Sequence, residues 1–358
     1  METQLPPDPA SPQIAATPLY RDRSTGLIIF GILEIAFGAL CALMIPFMLL
    51  GAAFSHKIPG GGMPAGTYVS GICTYTFIAA GLITLGIGSI RARRWSRALN
   101  LILAWVGLVG GTTATIAMSV LLPSTFVAAF RQAAERAPNP QPLSTGVAAV
   151  ILTVMIVFFA VFLVVVPLAF LLFFRMKDVE ETCRQRDPIE RWTDHCPLPV
   201  LAVSLLFACG ATYSVLVGIT TPVFPFFGTY LGGAAAGAGL IAVAVLDVFL
   251  AVWLYRLRAL GWWIAMGAFV FRLSSTVLTY RRADLLQLYS KMGWSQDQLQ
   301  MMNNNPMIHS SYMLWFTLVG GLAFLGYMLW IKRYFGAPVT PNLVGPQTAY
   351  EAPSSGTI

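Results

Sequence analysis

Residues 147–174 read VAAVILTVMIVFFAVFLVVVPLAFLLFF, 28 positions without a single charge. Thr153 is the one hydroxyl in the run and Pro167 the one helix breaker. The run does not alternate apolar with polar residues, as a half-buried strand does. It is also longer than the roughly 20 residues that cross ~30 Å of hydrocarbon at about 1.5 Å per residue. In hydrocarbon the backbone has no water to bond, so it must satisfy itself within a helix. The short alternating strands of a membrane β-barrel do not fit such a run. Similar runs occupy 26–54, 67–90, 98–122, 198–220, 231–255, 260–280 and 311–331. The expected fold is all-α: a polytopic membrane protein with eight transmembrane helices.

Composition agrees. The chain has 358 residues, 57% of them hydrophobic and 10% charged, where a soluble domain carries about 25% charged residues. This excludes a soluble enzyme, a disordered chain and a disulfide scaffold. The net charge of +7 is read as membrane orientation rather than nucleic-acid binding. With eight spans both termini share a side, and that side holds 15 Lys and Arg against 6 on the other. Basic residues collect in cytoplasmic loops, so both termini are expected in the cytoplasm and the chain in the cytoplasmic (inner) membrane. Residues 1–19 hold five prolines and no basic residue. They lack the n-region of a cleavable signal, and the first run is read as an uncleaved anchor.

The chain also repeats. Gly66-Thr67-Tyr68 precedes the second span and Gly228-Thr229-Tyr230 the sixth. The second ends in Arg91-Ala92-Arg93 and the sixth in Arg256-Leu257-Arg258. A further span and a long outer loop follow in both halves. The expected organisation is a disordered cytoplasmic tail (1–25), a four-helix repeat (26–175), a cytoplasmic linker (176–197), a second four-helix repeat (198–334) and a disordered cytoplasmic tail (335–358). Four spans per repeat make the repeats parallel, related by an axis along the membrane normal. The outer loops are expected to hold short helices. Thr125 would cap one ended by Pro138 and Pro140, and Ser295 with Gln298 forms an S-x-x-Q capping box for another.

The linker ends in Trp192-Thr193-Asp194-His195-Cys196-Pro197-Leu198-Pro199. This stretch resembles the linker of bacterial multi-pass integral membrane proteins with the same two-part layout. The Tyr20-Arg21-Asp22-Arg23 entry to the first span is similar too. No known activity attaches to that resemblance, so it supplies no functional residues.

Catalytic signatures are missing. None of the four lysines follows a glycine, so there is no phosphate-binding P-loop. The three histidines, His56, His195 and His309, fall on three different loops, and no G-x-S-x-G elbow occurs. No catalytic residue and no cofactor is assigned. Cys183, His195 and Cys196 do not have the spacing of a zinc finger, and no metal is assigned. Gly107-x-x-x-Gly111, Gly228-x-x-x-Gly232 and Gly233-x-x-x-Gly237 would let helix backbones approach closely, within the chain, in a homo-oligomer or against partner subunits. Trp95, Trp262, Trp263 and Trp330 are read as a cytoplasmic aromatic belt, and Tyr68, Tyr230, Tyr280 and Tyr312 as the outer one.

Three charges remain inside spans: Glu34, Asp247 and Arg272. A charge near the bilayer centre costs about 2.5–3.5 kcal/mol on insertion scales, so each needs a partner, a water-filled cavity or a neutral form. Counting from the basic ends, Glu34 and Asp247 sit about 12–14 Å deep and Arg272 about 21 Å. Arg272 is expected to reach Asp247 on the neighbouring helix, with Glu34 as a third member. These are the candidate binding or coupling residues of a small-solute or ion transporter. A scaffold binding partner proteins and a lipid-modifying enzyme are the alternatives.

Overall fold

The computed structural model describes residues 20–55, 62–136, 145–303 and 310–335. The expected Pro138/Pro140 helix stop, His56, His309 and nearly all of both expected tails lie outside them. The chain forms two compact units that divide between His195 and Cys196.

The first unit contains α1 (Ser24–Phe54), α2 (Ala65–Ile90), α3 (Arg94–Arg136), α4 (Thr145–Ala160), α5 (Val166–Phe174) and α6 (Lys177–Arg186). The second contains α7 (Leu198–Thr220), a hairpin of β1 (Val223–Phe226) and β2 (Thr229–Gly232), α8 (Gly233–Tyr255), α9 (Ala259–Arg282), α10 (Leu285–Lys291), α11 (Gln296–Asn303) and α12 (Ser310–Ile331). Among the described residues eight helical segments are long and apolar enough to cross a membrane. Their outward faces are apolar: Phe47 is 60% exposed, Val154 62% and Leu322 62%. Water would penalise so much exposed hydrocarbon, and a lipid environment removes that penalty.

In the first unit α1 packs along α2, and α3 packs on α4 and α5. The α1–α2 seam is built on glycine. A Cβ on Gly31 would lie 2.7 Å from the Gly86 carbonyl oxygen, and one on Gly38 would lie 3.1 Å from that of Ala79. The fourth span is broken by one π turn, Val161–Val165, where the Val166 N–H bonds the carbonyl of Val161, five residues back. The cause lies one residue on. Pro167 has no N–H for the Leu163 carbonyl, four residues before it. That carbonyl faces α3, where a Cβ on Gly111 would stand 1.8 Å from it, while Gly107 meets the Pro167 ring. The Gly107–Gly111 pair is therefore used inside the unit. Gly228-x-x-x-Gly232 is not a helix face at all, because it runs from the hairpin turn through β2.

Two expectations for the outer segments meet different outcomes. No separate helix starts at Thr125, because α3 continues through Pro123 to Arg136. At about 1.5 Å per residue its 43 residues span roughly 64 Å, twice the hydrocarbon thickness. The capping box at Ser295 does form. Ser295 N–H donates to Gln298 Oε1 at 3.0 Å, and Gln298 N–H to Ser295 Oγ at 3.4 Å. The hairpin before α8 was not expected. Phe227 and Gly228, with φ of 39° and 102°, make its two-residue turn. α9 carries it: the Phe227 N–H donates to Ser275 Oγ and the Gly228 N–H to Thr279 Oγ1. Two expected belt residues are core residues instead. Trp262 is buried and donates its indole N–H to the Met328 carbonyl, and Tyr230 is buried beside Val223 and Ala283. Trp263 and Trp330 are exposed, and the cationic ends of Lys332 and Arg333 lie over them.

Both arginine turns have one geometry. After α2 the Ala92 N–H bonds the Ser89 carbonyl and the Arg93 N–H that of Gly88; after α8 the Leu257 N–H bonds Leu254 and the Arg258 N–H bonds Trp253. Ala92 (φ 49°) and Leu257 (φ 55°) take the left-handed position usually given to glycine. Each turn folds the next helix tightly back, and each has one glycine where the flanks meet. A Cβ on Gly88 would lie 2.7 Å from the Ser96 Cβ, and one on Gly261 would lie 2.7 Å from the Trp253 Cβ.

The segment expected as a linker is fastened to the first unit. Asp187 accepts from Arg191, Arg93 and the Arg94 N–H. Arg97 bonds Glu180 and Arg94 pairs with Asp194. Within the expected N-terminal tail, Tyr20 and Asp22 bond Gln185 and Arg186, and Arg23 pairs with Asp178. The hydrogen bonds from Arg191, with the arginine charges around it, hold the Asp187 carboxyl below the usual carboxylate range. A depressed carboxylate contributes stability that is present above its unfolded value and lost as pH falls through its folded one. Acidification should therefore loosen α6 first, and Asp187→Asn should loosen it at neutral pH. Hydrogen exchange over residues 177–195 measures both effects, and unchanged protection in Asp187→Asn would contradict this account.

Candidate functional site

The structure brings Asp247 and Arg272 together. Asp247, on α8, is 2% exposed. Arg272, on α9, grips it with both terminal nitrogens: Nη1 donates to Oδ2 at 3.1 Å and Nη2 to Oδ1. The tight turn at Arg256–Arg258 makes α8 and α9 antiparallel neighbours. Side chains on a helix tilt toward its N-terminus. On α9 that direction leads back toward the turn and the shallower Asp247, which closes the difference in depth. On α7, Gly210 faces the carboxylate; a Cβ there would lie in ordinary contact, 3.6 Å from Asp247 Oδ2. One turn on from Asp247 along α8, the Ala251 carbonyl accepts from Ser204 Oγ of α7 at 2.6 Å.

Glu34 is held by other groups. It lies on the glycine face of α1, three residues past Gly31, and is 2% exposed. Ser89 of α2 donates its hydroxyl toward the carboxylate, at 3.2 Å to Oε2 and 3.4 Å to Oε1. The turn at Ala92 then folds Ser96 and Asn100 of α3 onto Ser89. The Ser89 and Ser96 hydroxyl oxygens are 2.9 Å apart, and Asn100 Nδ2 donates to Ser89 Oγ at 2.9 Å. Ser96 Oγ donates to the Leu85 carbonyl at 2.9 Å. All four side chains are buried. Every hydrogen bond described for Glu34 comes from within the first unit. The sequence reading missed Ser89, Ser96 and Asn100. Their signal was three polar residues spaced 7 and 4 apart across the arginine turn.

The cysteine–histidine group does not assemble into a metal site. Among the described residues no three metal-ligating side chains converge. Burial pushes the Cys183 and Cys196 thiols up to about 11. His195 Nδ1 lies 3.0 Å from the Arg191 carbonyl oxygen.

Comparison with protein-family models, with curated proteins and with solved structures finds no match to this chain. Its chemistry must therefore be read from the two polar groups themselves. One is a closed ion pair; the other is a carboxyl among neutral hydroxyls and an amide.

Proposed function

We propose that the protein is a multi-pass membrane protein that moves a small solute or an ion, with Glu34, Asp247 and Arg272 as its binding or coupling groups. The observation that carries this reading is the Asp247–Arg272 pair. Two opposite charges within apolar helices are costly to place there, and they are joined by two hydrogen bonds. A pair of that kind can exchange its partner for a charged solute. The absence of a recognisable catalytic motif favours transport over lipid modification. The test uses purified protein in vesicles and follows osmotic swelling in potassium salts, sodium salts and small neutral osmolytes. Wild-type vesicles should swell faster in at least one of them than vesicles holding Asp247→Asn with Arg272→Gln. Equal rates in all would overturn the transport reading in favour of a scaffold.

Both termini are placed in the cytoplasm, on the 15 to 6 bias of basic residues. A reporter after residue 340 should be cytoplasmic and one near Asn139 external. Both on one side would refute the eight-span topology.

The two units are read as parallel repeats. The shared arginine-turn geometry supports this, as does the order of packing, first span on second and third on fourth in each unit. The Gly-Thr-Tyr match does not, because Gly66-Thr67-Tyr68 is helical while Gly228-Thr229-Tyr230 begins a strand. Arg91 and Arg256 are both exposed. Single cysteines at these positions, in a cysteine-free background, should react with an impermeant thiol reagent from the same side. Labelling from opposite sides would exclude parallel repeats.

A further inference from the structure

We propose that Glu34 is a proton-binding site, and that Ser89 and Ser96 form a hydrogen-bonded chain that is complete only when that proton is present. The argument is a count of hydrogens. Ser89 Oγ has one hydrogen and three neighbours within bonding distance: Asn100 Nδ2, Ser96 Oγ and the Glu34 carboxyl. The amide must donate to it, so Ser89 has one donation left for two contacts. Ser96 Oγ accepts from Asn100 Nδ2 at 3.4 Å and likewise has one hydrogen for its two other contacts, Ser89 Oγ and the Leu85 carbonyl.

With Glu34 ionised, Ser89 donates to the carboxylate, and the one Ser96 hydrogen serves either Ser89 Oγ or the Leu85 carbonyl, not both. One of those two 2.9 Å contacts is then left without a hydrogen. With one proton taken from water onto Glu34, every contact is filled. Glu34 donates to Ser89, Ser89 to Ser96, and Ser96 to the Leu85 carbonyl. Adding the proton turns the Ser89 hydroxyl from the carboxyl to Ser96 and breaks no covalent bond other than the one that released the proton. The geometry fits the protonated arrangement.

The surroundings agree. The seam that holds Glu34 offers it backbone and neutral polar groups. Charged residues of the neighbouring elements are engaged elsewhere, Arg93 with Asp187, Arg94 with Asp194, Arg97 with Glu180 and Arg23 with Asp178, and Arg91 at the end of α2 is exposed. Among the described residues none of these cations bonds Glu34, and α5 has no ionisable residue. Among the described residues the amide oxygen of Asn100, buried in the same cluster, has no donor. A buried carboxylate without a counter-charge is costly, and a neutral carboxylic acid is not.

The experiment is difference infrared spectroscopy of the full chain in lipid nanodiscs, titrated from mildly acidic to mildly alkaline pH. The expected result is the carbonyl stretch of a protonated carboxylic acid at neutral pH, lost on alkalinisation. It should be absent in Glu34→Gln, whose amide has the shape of the neutral acid and keeps the fold. Carbon-13 glutamate should move the band in the wild-type protein, which identifies a glutamate without any substitution. Ser89→Ala removes the acceptor for the acid proton and should shift the band to higher frequency. No such band, or one that persists in Glu34→Gln, would overturn the proposal. So would a band that vanishes when sodium replaces choline at fixed pH, which would make the ligand a metal cation. This measurement reads occupancy and the swelling assay reads movement, so a site that binds a proton in a protein that moves nothing is distinguished from no site.

Discussion

Asp247→Ala is expected to destabilise the folded chain by about 3–5 kcal/mol, the usual cost of stranding one member of a buried ion pair. Asp247 is 3% exposed at its side chain and is the one acid paired with Arg272 among the described residues, so its loss leaves the guanidinium facing apolar helices. Arg272 keeps 29% of its own exposure, which places the effect toward the lower end. The double change Asp247→Leu with Arg272→Met should be milder, because it removes both charges and restores apolar packing. Thermal unfolding in one detergent at fixed protein concentration compares the three proteins. Equal loss in the single and double variants would show that the two residues do not act as a pair.

Gly111→Ala is the second large effect. The added methyl would sit 1.8 Å from the carbonyl oxygen of Leu163, a backbone atom that cannot rotate away. Relief requires α3 to move off the π turn, at about 1–3 kcal/mol for overpacking. Its neighbour supplies the control. A Cβ on Gly110 meets nothing within 4 Å, so Gly110→Ala should be neutral or stabilise by up to about 1 kcal/mol through helix propensity. The same unfolding assay tests both. Similar behaviour of the two variants would mean that α3 does not lie against Leu163.

The eight helices were legible in the sequence because membrane spanning is a local property of length and hydropathy. The run expected at 26–54 is the helix Ser24–Phe54, and the run expected at 67–90 is Ala65–Ile90. The hairpin was not legible, because its turn places Phe227, a bulky residue, at positive φ, and its bonds come from Ser275 and Thr279 about 50 positions away. Of the candidate site, Asp247 and Arg272 stood out as charges that need partners. Grouping Glu34 with them rested on depth alone, whereas its bonds come from Ser89 in its own unit. Ser89, Ser96 and Asn100 escaped notice for a physical reason. Hydroxyls in apolar helices commonly bond the carbonyl four residues back, as Thr74, Thr84, Thr113 and Ser119 do here. A serine that points across to another helix has the same one-letter signature as one that does not.

The paired arginine turns carry a historical consequence. Four residues before the left-handed residue and four residues after it, the flanks touch, and the contact tolerates only one Cβ. The first unit leaves it out before the turn, at Gly88, and the second after it, at Gly261. Under a duplication, a lineage passing from one arrangement to the other had two routes. The route with a side chain on both flanks brings two Cβ atoms within 2.7 Å and breaks the turn. The route with glycine on both flanks only loosens it. If the two halves descend from one ancestor, then that ancestor, or an intermediate on the way from one arrangement to the other, had glycine at both positions.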